Sequence, residues 1–174
     1  MRALQNMETK AKDQYKTWGK SRSNRLPNYD YYKDRPIHVT ICTENKEKFF
    51  ESEVNTKIVI DELLNTAKDL EFRILCYCLM PDHLHVIVSP SESTLSLSKF
   101  LNIFKGRTTA VFRERKDLKK IWQRSAFDHI IRTEENLKGV IEYIRNNPVR
   151  KGIVENADDY PYSESFELEI KRYI

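Results

Sequence analysis

The sequence predicts an α+β domain: a ferredoxin-like antiparallel sheet with elements in the order β-α-β-β-α-β, covered by helices and followed by one further C-terminal helix. Three observations predict it. Two β-branched runs are joined by a Pro-Asp turn, segments with apolar residues at helical spacing lie on either side of them, and a third such segment stops at a proline. With 174 residues, 40% of them apolar, the chain can bury one core of that size.

Residues 1–27 are polar and basic and lack apolar periodicity, so they are expected to be a mobile segment outside the fold. That leaves 28–174 as a single domain with an acidic C-terminal extension. Pro36 to Thr43, PIHVTICT, is rich in β-branched residues and predicts the first strand. From Asn55 to Leu70, the residues Ile58, Ile60, Leu63, Leu64 and Ala67 recur near helical spacing, which predicts an amphipathic helix. Phe72 to Leu79 and His83 to Ser89 then form a hairpin across Met80-Pro81-Asp82. A second helix spans Leu95 to Lys116, with Leu97, Phe100, Leu101, Phe104 and Val111 on its buried side and basic residues opposite. Phe127 to Arg132 returns as a fourth strand.

Thr133 followed by Glu134 and Glu135 marks the start of a third helix, a capping hydroxyl with acids in the first turn. Leu137, Val140, Ile141 and Ile144 give its apolar stripe. Pro148 is expected to stop it, because proline disfavours the helical conformation in the residue before it, Asn147. A loop and the acidic segment follow.

The net charge of +4 hides an uneven distribution. Met1 to Pro36 carries nine Lys or Arg against four acids, and Ser98 to Arg124 carries nine against two, so the remaining segments sum to −8. Separate basic blocks suit a polyanion such as nucleic acid, although charge runs also simply solvate a surface. The three cysteines, Cys42, Cys76 and Cys78, sit in apolar runs at no disulfide spacing, which predicts reduced core thiols. No apolar run is long enough to span a membrane, and the charged N-terminus lacks the apolar stretch of a signal peptide; the expected location is the cytoplasm.

Chemistry concentrates in two places. On a strand, His83 and His85 project from one face while Leu84 and Val86 enter the core, so two imidazoles can share a metal ion beside a tight turn. The same spacing also occurs in ordinary polar strand surface. Tyr143 and Asn147, four apart, share one flank of the third helix beside its apolar stripe. If that flank faces the histidines, Asn147 supplies an oxygen ligand and Tyr143 brings a hydroxyl to a phosphate held by the ion. Imidazole with an amide oxygen suits Mg²⁺ or Mn²⁺. A boundary core tyrosine and a helix-ending asparagine are the plainer reading of the same two residues.

Two segments resemble a known family. YCLMPDHLHVIV, from Tyr77 to Val88, resembles the metal-binding hairpin of the REP-associated tyrosine transposases, within the His-hydrophobic-His single-tyrosine transposases. YIRNNPVRKG, from Tyr143 to Gly152, resembles their tyrosine helix and exit loop. Lesser echoes are RLPNYDY from Arg25, IWQR from Ile121 and DYPYS from Asp159. The resemblance implies a bacterial, DNA-associated nuclease and strand transferase that acts on single-stranded hairpin DNA. In it a divalent cation, Mg²⁺ or Mn²⁺, is held by His83 and His85, and Tyr143 forms a 5′-phosphotyrosine and frees a 3′-hydroxyl. Related transposases carry a Gln four residues after the tyrosine; here the position is Asn147, whose shorter amide must come nearer. A phenol with an intrinsic pKa of about 10 needs a nearby ion or cation to act as a nucleophile at neutral pH.

Candidate DNA contacts are Lys105, Arg107, Arg113 and Arg115 on the second helix, and Arg145, Arg150 and Lys151 beside the nucleophile. Trp18, Tyr29, Tyr31 and Tyr32 offer stacking surfaces for unpaired bases. Three competing readings stay open: a rolling-circle initiator or relaxase, a zinc site built from Cys76, Cys78, His83 and His85, and a hairpin-binding regulator that does not cut. His38 and His129 are unassigned, each read as a structural residue or a DNA contact ahead of a metal ligand. The sequence fits a monomer or a homodimer, and leaves open whether Tyr143 serves its own chain's histidines or a partner's.

Overall fold

The structure is a computed structural model that describes residues 35–91, 93, 95–116, 120–131 and 133–174. The expectations for residues 1–27, and for Trp18, Tyr29, Tyr31 and Tyr32, lie outside the described residues.

The elements follow as β1 (Ile37–Cys42), α1 (Glu53–Asp69), β2 (Phe72–Met80), β3 (His83–Pro90), α2 (Leu97–Lys116), β4 (Phe127–Ile130), α3 (Glu134–Arg145), α4 (Asn147–Arg150), β5 (Ser163–Ser165) and α5 (Glu167–Ile170). All five strands join one antiparallel sheet in the order β4-β1-β3-β2-β5. The first four places are the expected ferredoxin-like arrangement.

The two faces of the sheet carry separate cores. Ile37, Val39, Ile41, Leu84, Val86 and Val88 alternate onto one face, where α1 and α2 cover them with Val59, Leu63, Phe100 and Phe104. The other face takes Cys76, Cys78, Met80 and Ile87, and α3 covers it with Leu137, Val140 and Ile144. A bulge between Ile74 and Cys76 lets Leu75 and Cys76 both join this second core. Pro81 and Asp82 alone connect β2 to β3, so Met80 pairs with His83 and the hairpin register follows from the turn.

Three expectations need correction. Val111 is only half-buried, and its neighbour Phe112, 1% exposed, fills the core instead, stacked edge-on against Phe49. The chain does not leave helical structure at Pro148. α3 ends at Arg145, capped at its start by Thr133 as expected, and Asn147 opens a separate short helix with Pro148 in its first turn, where a missing N–H costs nothing. Tyr143 and Asn147 therefore lie on two elements and not one. Finally, the segment expected as loop contributes β5, which pairs with Cys76 to Cys78 through Ser-Glu-Ser.

Candidate active site

His83 and His85 leave β3 on the face covered by α3, opposite Met80 and Cys78 of β2. Leu84 and Val86 between and beside them are fully buried in the other core, as strand alternation requires. The two imidazole rings are 4.8 Å apart and perpendicular. His83 is the more open of the pair; His85 is buried.

Both rings are held through Nδ1. His83 Nδ1 lies 2.5 Å from Asp82 Oδ1, and a carboxylate only accepts, so Nδ1 carries the proton. The turn residue Asp82 was read from sequence only as part of the hairpin; its carboxylate is what fixes this ring. His85 Nδ1 lies 3.0 Å from Thr40 Oγ1 and 3.2 Å from His38 Nε2. Thr40 pairs directly with His85 across β1 and β3, and His38 follows two residues away on the same face of β1. Burial pushes the His38 imidazole down to about 4, with His129 adding repulsion, so His38 is neutral at physiological pH. Burial likewise holds His85 well below the usual imidazole range, with His38, His83 and Arg150 adding to the effect.

From α3, Tyr143 stands half-buried beside the stripe of Leu137, Val140 and Ile144. Its ring lies 5.9 Å from that of His85, nearly perpendicular. The Arg150 guanidinium, at the end of α4, sits 4.4 Å above the Tyr143 ring centroid. Gly152 then turns the chain out in the left-handed conformation, φ +68°, and the Ile153 N–H bonds back to the Pro148 carbonyl. The segment from Tyr143 to Gly152 is thus one helix, a restart and a glycine exit, and it carries both a phenol and a cation to the histidines.

The rings of His83 and His85, 4.8 Å apart, could take one divalent ion between them. Neither Nε2 has a hydrogen-bond partner among the described residues; at His83, where Nδ1 carries the proton, Nε2 presents a lone pair. Asn147 is 4% exposed, yet among the described residues nothing hydrogen-bonds its carboxamide. Two imidazoles, joined by an amide oxygen if Asn147 reaches them, would leave room on a divalent ion for water and phosphate oxygens. A closed zinc site has no such support. Among the described residues no three His, Cys, Asp or Glu side chains cluster to hold a metal, and burial pushes the thiols of Cys76 and Cys78 up to about 11 and 12.

The candidate DNA-binding cations divide. Arg150 is at the site and exposed Lys151 is next to it. Arg145, also exposed, pairs with Asp158. Lys105, Arg107 and Arg113 belong to α2, which covers the opposite face of the sheet. Lys105 donates to the carbonyls of Gln123, Arg124 and Ser125 at 2.9, 3.3 and 3.2 Å, and Arg107 pairs with Asp69 at 2.7 Å. Arg113 is exposed, and the Arg115 side chain lies outside the described residues. His129 pairs with His38 across β1 and β4 and is exposed. Sequence reasoning gave His38 only a general structural or DNA-contact role and missed Asp82 and Thr40 as supports of the histidines. The shared face of His38, Thr40 and His85, deduced from strand register, would have linked the first two strand residues to the ring.

Residues 31–147 match the family described as "Transposase IS200 like". A Haemophilus influenzae protein named as a candidate REP-associated tyrosine transposase is 30% identical over 119 residues, covering 63% of this chain and 67% of its own length. The REP-associated tyrosine transposase of Escherichia coli K12 is 28% identical over 110 residues, covering 63% and 64%. Among solved structures, a REP-associated tyrosine transposase bound to a REP hairpin superposes with a TM-score of 0.68 at 23% identity, over 84% of this chain and 86% of that one. The chain therefore belongs to the IS200-like transposase family, and within it to the REP-associated tyrosine transposases.

Proposed function

We propose that this transposase cuts and rejoins single-stranded hairpin DNA with Tyr143 as the nucleophile and His83, His85 and Asn147 as the ligands of one Mg²⁺ or Mn²⁺ ion. The observation that carries the reading is the meeting of Tyr143 with His85 at 5.9 Å, under a guanidinium, in a chain of this family. The relative solved with a REP hairpin supports folded single-stranded DNA as the substrate class.

In this reading the Tyr143 hydroxyl loses its proton and attacks the scissile phosphorus. A bond forms from the phenolic oxygen to phosphorus, the bond from phosphorus to the 3′-oxygen breaks, and that oxygen takes up a proton. The products are a 5′-phosphotyrosine and a free 3′-hydroxyl. Because the phosphotyrosine keeps the bond energy of the phosphodiester, the same or another 3′-hydroxyl can reverse the step without ATP. Arg150 serves twice, orienting the ring by stacking and holding the phosphate by charge. Asp82, Thr40 and His38 hold the histidines still. When bound, the ion polarises the phosphate and offsets charge in the transition state. All these groups come from one chain, so Tyr143 works with its own chain's histidines.

Incubation with a hairpin oligonucleotide labelled 3′ of the cut and Mn²⁺ should give a denaturation-resistant protein-DNA adduct. Tyr143→Phe, chelator, and His83→Ala with His85→Ala should each abolish it. An undiminished adduct in Tyr143→Phe would refute the mechanism, and a wild type that binds the hairpin but never forms adduct would favour the non-cutting regulator.

A further inference from the structure

His38 and Thr40 form a two-membered clamp on one atom, His85 Nδ1, at 3.2 and 3.0 Å. His38 is 4% exposed and His85 6%. Two strands bring them together: Thr40 is the direct cross-strand partner of His85, and His38 sits diagonally on the same face. The imidazole of His38 is thus spent inside the protein on a contact 47 residues away in the chain.

Neutral imidazole has one N–H, and its position decides whether Nε2 is a donor or a ligand. A histidine that binds an ion through Nε2 must keep its proton on Nδ1, and that proton needs an acceptor when the ring is buried. The Thr40 hydroxyl oxygen and an unprotonated His38 Nε2, at 3.0 and 3.2 Å, can both accept. We infer that His38, together with Thr40, is a positioning residue that accepts the His85 Nδ1 proton and so holds His85 in the tautomer that turns its Nε2 lone pair toward the ion. The inference rests on His83 and His85 being ion ligands. It also completes a symmetry: Asp82 does for His83 what His38 and Thr40 do for His85, with a charged acceptor at the open ring and neutral ones at the buried ring. A carboxylate beside His85 would itself need burial; a second neutral imidazole avoids that.

The opposite arrangement satisfies the same distances on paper. If His38 Nε2–H and the Thr40 hydroxyl both donated, His85 Nδ1 would be a shared acceptor, Nε2 would carry the proton, and no ligand would face the ion. The two arrangements differ in a measurable way.

Mn²⁺ binding to the full chain, followed by electron paramagnetic resonance of the free ion, reads the clamp without relying on cleavage. Removing an outer partner of a metal-bound histidine lowers affinity by about 10- to 100-fold. His38→Leu, which cannot accept, should therefore weaken Mn²⁺ binding about tenfold, while His38→Gln, which places an amide oxygen near the lost Nε2, should stay within about threefold of wild type. His83→Ala should weaken binding at least as much as His38→Leu. Binding by His38→Leu within twofold of wild type, with His83→Ala impaired, overturns the clamp and leaves the ion site standing. Binding unchanged in His83→Ala overturns the ion site, and the clamp with it. If His38→Leu does not fold, long-range ¹H–¹⁵N correlation on the metal-free wild type decides: a proton on His85 Nδ1 supports the clamp, and a proton on Nε2 overturns it.

Discussion

Replacing Arg150 with alanine removes the guanidinium that lies over the Tyr143 ring, 4.4 Å from its centroid. Burial holds His85 below the usual imidazole range, and the same guanidinium adds to that effect. Stacking of a partly exposed guanidinium on a phenol ring is worth about 0.5–1 kcal/mol. A charge-assisted bond to the scissile phosphate is worth about 1.5–3 kcal/mol. If Arg150 does both, Arg150→Ala removes about 2–4 kcal/mol from the transition state, a fall of about 30- to 1,000-fold at about 1.4 kcal/mol per tenfold. If it only orients the ring, the loss stays within about two- to fivefold. Arg150→Lys keeps the charge without the planar fork and should fall between wild type and alanine. The measurement is the single-turnover rate of adduct formation on a hairpin oligonucleotide at saturating Mn²⁺, with thermal melting as a check on folding. A well-folded Arg150→Ala within twofold of wild type would refute the placement of this residue in the reaction.

Three further predictions follow from the same geometry. Mixing Tyr143→Phe with the His83→Ala, His85→Ala double variant should restore no adduct, because tyrosine and histidines meet within one chain; restored activity would mean that sites are shared between chains. Metal-free protein should lose stability as pH falls from about 6.5 to about 4. Over that window the unfolded chain takes up a proton that folded His38 refuses, at a cost of about 3 kcal/mol from about 1.4 kcal/mol per pH unit, so melting of His38→Gln should show a shallower acid limb than wild type. Equal acid limbs would contradict the buried neutral His38. Trp122→Phe should cost about 1–3 kcal/mol in urea unfolding, since it loses the buried Nε1–H bond to Thr108 Oγ1 at 2.7 Å; a loss below about 0.5 kcal/mol would show that the bond carries nothing.

The parts of the fold that were legible are those whose signal is local. Period-two alternation in PIHVTICT and HLHVIVS, the Pro-Asp turn, and the stripe of Leu137, Val140 and Ile144 each predicted an element the structure contains. β5 was not legible because Ser163–Ser165 has no apolar face and is strand only by pairing with the edge of β2. Phe112 took the place of Val111 because it meets the Phe49 ring edge-on within the core, a tertiary demand that spacing alone does not express. The histidine pair was legible and its supports were not. His83 and His85 share a face by alternation within one strand, whereas Thr40 and His38 reach His85 only through the β1-β3 register, across more than forty residues of chain.

The cations teach the converse lesson. Composition marks Ser98 to Arg124 as the most basic block, and its Lys105 and Arg107 belong to α2, which covers the face of the sheet opposite His83 and His85. Lys105 is drawn in to three backbone carbonyls of the 123–125 loop, where burial lowers its proton affinity, and that loop is itself tied to the end of β1 through Gln123 and Cys42. Arg107 is answered by Asp69 on α1. These two are spent on holding α2 to its neighbours. On the other face, a proline restart and a glycine exit fold the shorter basic run back so that Arg150 lies over the tyrosine ring, while Arg145 pairs with Asp158. A charge count marks basic blocks along the chain; that one of these cations comes to lie over the Tyr143 ring depends on two residues with no charge at all, Pro148 and Gly152.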